Sequence, residues 1–167
     1  MTVVVADTSP LNYLILIGQI EMLRRLYGKI VVPSEVLAEL SDAGTPPEVR
    51  EWTQSRPDWL EMRVVQGGRH DPALERIDPG ERAAILLAQG ETEVLLLIVD
   101  GAGRAEANRR RIPNTGTLGI IRAAAMQKLL DLPSALARLA ATNFRMSQSL
   151  LDDLLAEDRE RKRRLNT

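Results

Sequence analysis

The stretch VVVADTSPL, residues 3–11, contains the pattern that decides the fold. Residues 3–6 are a short apolar, mostly β-branched run, which is typical of a buried strand, and the run ends abruptly at Asp7. Thr8, Ser9 and Pro10 follow, and residues of these types begin helices. The chain therefore starts with a strand, then a helix, and an acidic residue stands at the junction.

The same order recurs along the chain. Residues 30–32 form a second apolar run ahead of a helix that opens at Pro33, and residues 94–99 form an aliphatic run that ends at Asp100. Strands that are apolar on both faces and alternate with helices indicate a parallel sheet covered on both sides. We therefore expect an α/β protein, a three-layer α/β/α sandwich with a mainly parallel central sheet.

Length and composition set the domain organisation. With 167 residues the chain is long enough for one hydrophobic core, and no repeat or low-complexity segment is visible. We expect one domain over residues 1–145, followed by a helical, charged tail over residues 146–167. The longest apolar runs are much shorter than the ~20 residues that a membrane-spanning helix needs, so no membrane association is expected.

The charge balance and the absence of cysteine exclude several classes of site. With no cysteine, a disulfide framework, a thiolate zinc site and a cysteine nucleophile are all excluded, and a reducing cytoplasm is the expected compartment. The N-terminus lacks the basic and apolar regions of a signal peptide. The net charge of -1 gives no overall positive field, so binding to nucleic acid would depend on local basic patches.

Two acids follow aliphatic strands directly. Asp7 and Asp100 should each lie at the carboxyl end of a strand, which is where open α/β sheets bind ligands. If the two strands are neighbours, separated by about 4.8 Å, both carboxylates project into one crevice. The alternative is that Asp7 caps the following helix and that Asp100 simply begins a turn.

Two glutamates lie on predicted helices. Glu39 is one position away from the buried face of its helix, so its carboxylate is expected near the apolar boundary, although a solvated surface glutamate is the alternative. Glu81 belongs to the sequence DPGE, residues 78–81, which matches a capping box with proline in the first turn. Capping alone would explain Glu81.

The four acids gain a common explanation when they are taken together. Acids gathered at one sheet edge repel each other unless a cation lies among them, and Mg²⁺ or Mn²⁺ suits an all-oxygen site. A metal ion in such a site can activate water and orient a phosphodiester. Hydrolysis of a nucleic-acid backbone is the reaction that this pattern favours.

The acidic stretches resemble the four motifs of PIN domains. In the second motif the acid normally precedes a leucine, and this selects Glu39 over Glu35. The resemblance implies that all four acids are both catalytic residues and metal ligands: Asp7, Glu39, Glu81 and Asp100. The matching stretches are VVADTSPL (4–11), VPSEVLAEL (32–40), DPGERAA (78–84) and LLLIVD (95–100).

Further along the chain, Arg104 and residues 116–119 (GTLG) resemble a bacterial subgroup of uncharacterised, toxin-like PIN proteins related to VapC ribonucleases. The resemblance implies an endoribonuclease toxin that uses Mg²⁺ or Mn²⁺, acts on RNA, is inhibited by a small antitoxin protein and forms a homodimer. It also implies substrate-binding roles for Thr8, Ser9 and Arg104. Where the subgroup often has a second aspartate after the fourth acid, this chain has Gly101.

Other interpretations compete with the nuclease. The run of residues 109–111 (RRR) is close in sequence to Asp100, at the sheet edge where the four acids are expected, and could hold phosphates there. The alternative is that these basic residues, in the last turn of a helix, balance the helix dipole. Glu106 could replace the missing second aspartate, although an exposed position on the surface of its helix is the alternative. A non-catalytic PIN-like module that binds RNA or a protein is the main alternative function. A nucleotide-binding domain that uses residues 100–103 (DGAG) is a third, with a poor match to the G-x-G-x-x-G pattern.

Overall fold

The structure is a computed structural model that describes residues 1–66, 71–99 and 101–167. Asp100, one of the four predicted acids, therefore lies outside the described residues. Of the motif that contains it, the structure describes the strand that precedes it and the helix that follows it.

The described strands form one five-stranded, all-parallel sheet, which confirms the predicted α/β class. Its order is β3-β2-β1-β4-β5, so β1, which leads to Asp7, lies at the centre between β2 and β4. The first strand in this order, β3, is an edge strand. The strands are β1 (Val3–Ala6), β2 (Ile30–Pro33), β3 (Leu60–Arg63), β4 (Val94–Leu97) and β5 (Asn114–Thr115).

Helices follow the strands in the predicted alternation and cover both faces of the sheet. A short 3-10 helix spans Pro72–Leu74. The α-helices are α1 (Thr8–Leu16), α2 (Glu21–Tyr27), α3 (Ser34–Leu40), α4 (Pro47–Gln54), α5 (Pro79–Gln89), α6 (Gly101–Arg109), α7 (Thr117–Met126), α8 (Leu132–Ala140) and α9 (Gln148–Leu165).

Alternate residues of the central strand enter two separate hydrophobic cores. Val4 and Ala6 pack with apolar residues from α1, α3, α7 and α8, whereas Val5 packs with residues of α5 and α6 on the other face. This alternation follows from the two-residue period of a β-strand, and it produces the predicted three layers.

The charged C-terminal segment forms a long helix, α9, which contacts α8. Leu154 joins the larger core, and the buried Asp158 is paired with Arg161 and Lys162 one turn further along. Among the described residues, no helix has both the length and the apolar character that crossing a membrane requires.

Candidate active site at the carboxyl edge of the sheet

Asp7 lies at the carboxyl end of the central strand. Its backbone N–H donates to the carbonyl oxygen of Leu97 at 2.9 Å, so the β1–β4 pairing continues up to this residue, and Asp7 is only 1% exposed. Asp7 is also the N-cap residue of α1, but its side chain accepts no capping hydrogen bond. Helix capping therefore does not explain why an acid stands at this position.

Glu39 lies on α3, and two neutral donors hold its carboxylate. The hydroxyl of Thr8 donates to Oε2, and the backbone N–H of Gly80 donates to Oε1 at 2.9 Å. Thr8 follows Asp7, and Gly80 precedes Glu81, so these two hydrogen bonds connect the chain segments that carry three of the predicted acids. Glu39 is therefore not a solvated surface glutamate.

Gly80 is needed for this arrangement. A Cβ atom at this position would lie 2.7 Å from both Cδ and Oε1 of Glu39, which is closer than real Cβ contacts. Any side chain at residue 80 would therefore displace the carboxylate. Sequence reasoning missed this role, because glycine in the first turn of a helix looked like part of a capping box.

Glu81 lies in the first turn of α5 and is 6% exposed. Its carboxyl group lies close to the backbone of α6, since a Cβ atom at Gly103 would be 3.4 Å from Cδ of Glu81. Asp78 is the N-cap residue of α5, but its side chain makes no capping hydrogen bond, so this half of the predicted capping box does not form. Glu81 is thus a buried acid near the start of α6.

These acids do not by themselves make a metal site. Within residues 1–66, 71–99 and 101–167, no group of three or more acidic or histidine side chains lies close enough together to hold a metal ion. A site with three carboxylate ligands at this edge would therefore require Asp100, which is outside the described residues.

The three predicted substrate-binding residues have different surroundings. Thr8 binds Glu39, as described above, and Ser9 is half-buried in the first turn of α1. Arg104 is exposed on α6, and its Nε donates to Oδ1 of Asn114 at 3.2 Å. Arg104 also lines a cavity together with Val99 and residues 115–119, just past the ends of β4 and β5. It therefore lies at the same sheet edge as Asp7.

The arginine run at residues 109–111 is at the opposite edge, which corrects the idea that it holds phosphates beside the acids. Arg110 lines a cavity with Thr2 and Val94, where β1 and β4 begin. Its guanidinium group binds Glu106 at 2.6 Å and Asp71 at 2.7 Å. Ion pairing of Arg110 with Glu106 of α6 and with Asp71, in the segment before α5, accounts for this part of the run.

Glu106 is part of the same ion-pair cluster, so it does not replace the missing second aspartate. The hydrogen bond from Arg109, together with that from Arg110, lowers the pKa of Glu106 to about 2. Arg110 likewise lowers the pKa of Asp71 below its usual value. These acids are ionised at neutral pH, and the positive charges of the arginines already balance their negative charges.

The sequence matches the model of a family described as a PIN domain over residues 3–160. This chain belongs to the PIN-domain family. PIN domains are generally nucleases that act on nucleic acid, and they typically use divalent metal ions. No curated protein matches the chain. The family match includes the four acidic stretches, and it also covers most of α9.

Proposed function

We propose that this PIN domain is a metal-dependent endoribonuclease that hydrolyses RNA phosphodiester bonds, using Mg²⁺ or Mn²⁺ held by Asp7, Glu39, Glu81 and Asp100. The observation that carries the proposal is the pair of hydrogen bonds that the Glu39 carboxylate accepts, one from Thr8 and one from Gly80. It holds one carboxylate between two chain segments that carry buried acids, Asp7 and Glu81, each adjacent in sequence to one of the donors.

The donors around Glu39 support a cation at this edge. Both are neutral, and no ion pair joins Glu39 to a basic side chain anywhere in the described ranges, so no basic group of the described residues is paired with the carboxylate. Burying negative charges together is costly unless a cation compensates them. Carboxylate oxygens are also the ligands that Mg²⁺ and Mn²⁺ prefer. The proposal requires Asp100 to complete the site.

In the proposed reaction, water attacks phosphorus, one P–O ester bond breaks, and the leaving oxygen takes up a proton. When bound, the divalent cation lowers the pKa of water and stabilises negative charge on the phosphate. Thr8 and Gly80 hold Glu39 in one orientation, which keeps the ligand set preorganised. Arg104 at the same edge, together with Ser9, would contact the RNA backbone.

A cleavage assay tests this function. The purified protein is incubated with a fluorescent single-stranded RNA and with the DNA of the same sequence, each with Mn²⁺, Mg²⁺ or a chelator. We expect internal cleavage of RNA with either metal and none with chelator. Asp7→Asn and Asp100→Asn should each abolish it, while Glu106→Gln, at the opposite edge, should not. Activity that survives in both aspartate variants would rule out the metallonuclease.

A non-catalytic module that binds RNA or a protein is the second candidate. Two observations favour it: the described residues alone hold no group of three acids that could bind a metal ion, and Gly101 stands where a second aspartate often occurs. RNA binding that is unaffected by metal, with no cleavage under any of these conditions, would establish this alternative.

The biological role that we propose is that of a cytoplasmic toxin whose activity a small antitoxin protein blocks. Resemblance to VapC-like proteins supports it, and so does the acidic edge, which a basic residue or helix of such a partner could cover. A complex purified after co-expression with the product of the neighbouring reading frame should not cleave RNA. Full activity in that complex would contradict this form of control.

A homodimer is also proposed, and it rests on the same resemblance. The apolar residues of α7 and α8 that could have formed a dimer surface are largely in the core, Ile120, Ile121, Leu136 and Leu139 among them. Sedimentation equilibrium measures the oligomeric state directly. A mass near twice that of the chain would support the dimer, and a monomer at micromolar concentration would contradict it.

A further inference from the structure

The cavity that contains Arg104 lies beside the carboxyl edge that carries Asp7. It has a volume of about 300 Å³ and is lined by Val99 and Arg104 on one side and by the start of α7 on the other. Phe144 and Arg145, from the segment between α8 and α9, complete its wall. The two arginines are the charged groups among these lining residues, so the cavity is positively charged.

The start of α7 points unsatisfied N–H groups towards this cavity. Gly116 is the N-cap residue, and it has no side chain that could cap the helix. The first helical hydrogen bond runs from the N–H of Ile120 to the carbonyl of Gly116 at 3.1 Å, so the N–H groups of residues 117–119 precede the helical pattern. A ten-residue helix concentrates partial positive charge at these groups, which favours an anion.

Thr117 supplies an independent indication of a ligand. Thr117 is one of the residues that line the cavity and is only 1% exposed, yet its hydroxyl has no hydrogen-bond partner among the described residues. Buried hydroxyl groups are almost always hydrogen-bonded, because leaving one unpaired is costly. A bound oxyanion would accept a hydrogen bond from this hydroxyl.

The two arginines of the cavity differ from those used for structural ion pairs. Arg104 donates Nε to the neutral Asn114, and its Nη1 lies near Gly116, 3.4 Å from where a Cβ atom would be. Neither Arg104 nor Arg145 forms an ion pair within the part of the chain that the structure describes. Both are exposed and can contact a phosphate.

We propose that this cavity binds a non-scissile phosphate of the RNA backbone, held by the Thr117 hydroxyl, the N–H groups at the start of α7, Arg104 and Arg145. The ligand chemistry is that of a phosphodiester, and its assignment to RNA rests on the proposed function. The site positions the strand so that a neighbouring phosphate lies at the acidic edge, and it therefore governs affinity more than the chemical step.

The first test uses inorganic phosphate and does not depend on catalysis. In ¹⁵N NMR spectra recorded with chelator, phosphate should shift the amide signals of residues 117–119. Thr117→Val should remove or strongly reduce these shifts, and Thr117→Ser, which keeps the hydroxyl, should restore them. Thr53→Val is the matched control, since Thr53 is another buried threonine but donates to Val49. Unchanged shifts in Thr117→Val would overturn the anion site.

The second test uses single-stranded RNA with chelator, measured by fluorescence anisotropy. Loss of a hydrogen bond to a charged group should weaken binding by about tenfold in Thr117→Val and by at least as much in Arg104→Met. Arg25→Met, an exposed arginine on α2, should bind like the parent. Phosphate-induced shifts with unchanged RNA affinity would overturn the RNA assignment. Because neither test requires cleavage, loss of the nuclease proposal would leave both results interpretable.

Discussion

The amino edge of the sheet, where the strands begin, and the carboxyl edge, where they end, hold their acids in different ways. At the amino edge, Glu106 and Asp71 are paired with arginines, and the pKa values of both are lowered. At the carboxyl edge, Glu39 accepts hydrogen bonds from a hydroxyl group and a backbone N–H, between segments that carry the buried Asp7 and Glu81.

We propose that the difference separates acids that stabilise the fold from acids that are held for a ligand. An acid paired with arginine has its charge already compensated. A carboxylate that is oriented by neutral donors has no basic partner and can still coordinate a cation through its remaining lone pairs. The comparison predicts that removing charge at the carboxyl edge affects activity, whereas removing it at the amino edge affects stability.

The largest expected effect is on the rate of cleavage. Glu39→Gln should reduce RNA cleavage by more than about 100-fold, because it removes a proposed metal ligand and one of the negative charges that would balance the charge of the metal ion. Glu106→Gln makes the same chemical change at the other edge and should leave the rate within roughly twofold of the parent. Single-turnover cleavage with saturating Mn²⁺ measures both. Equal losses in the two variants would remove the distinction between the edges.

A second prediction concerns the space beside Glu39. Gly80→Ala should displace the Glu39 carboxylate and abolish most activity, but it should lower the free energy of unfolding by no more than about 1 kcal/mol, because the Cβ atom would meet only the end of a flexible side chain. Gly90→Ala at the other end of α5 is the matched control, because its nearest contact would be an ordinary 3.5 Å. Denaturant unfolding of the two variants provides the comparison. A fully stable and active Gly80→Ala variant would show that Glu39 need not be where the structure has it.

Much of this arrangement could be predicted from the sequence. The apolar runs and helix-start residues placed the strands and helices, and the acids that follow strands indicated the edge at which we propose the active site. These features are local, because the hydrophobic periodicity of a single short segment indicates its secondary structure and which of its residues are buried.

Other features depend on contacts between distant segments and could not be predicted. The Thr8–Glu39 and Gly80–Glu39 hydrogen bonds and the Arg110–Asp71 ion pair join residues far apart in the chain. The ion pairs of Arg110 place it at the amino edge of the sheet. Its distance from Asp100 along the sequence does not indicate this position. Thr117 looked like one member of a family motif, and only its burial without a partner among the described residues indicates a ligand.

The smallest predicted effect is on the pH dependence of stability. The folded state lowers the pKa of Glu106 to about 2, below its value in the unfolded chain of about 4.3. The stabilisation is therefore complete above pH 4.3 and is lost as the pH falls towards 2. Glu106→Gln should cost about 1 kcal/mol or less at pH 7, and the difference from the parent should shrink between pH 4.5 and 2.

Urea unfolding at several pH values measures this difference. A constant gap between the parent and Glu106→Gln down to pH 2 would mean that the lost stability comes from packing and not from the ion pairs.

Metal-dependent melting of the parent, Asp7→Asn and Glu106→Gln tests the central claim most directly, since only a folded chain brings the proposed ligands together. Millimolar Mn²⁺ should raise Tm of the parent and of Glu106→Gln, and it should leave Asp7→Asn unchanged. Without metal, Asp7→Asn should melt at or slightly above the parent's Tm, because neutralising one acid should relieve repulsion among the proposed metal ligands. A parent whose Tm does not respond to Mn²⁺, together with an Asp7→Asn variant that is clearly less stable, would contradict the assignment of this edge as a metal site.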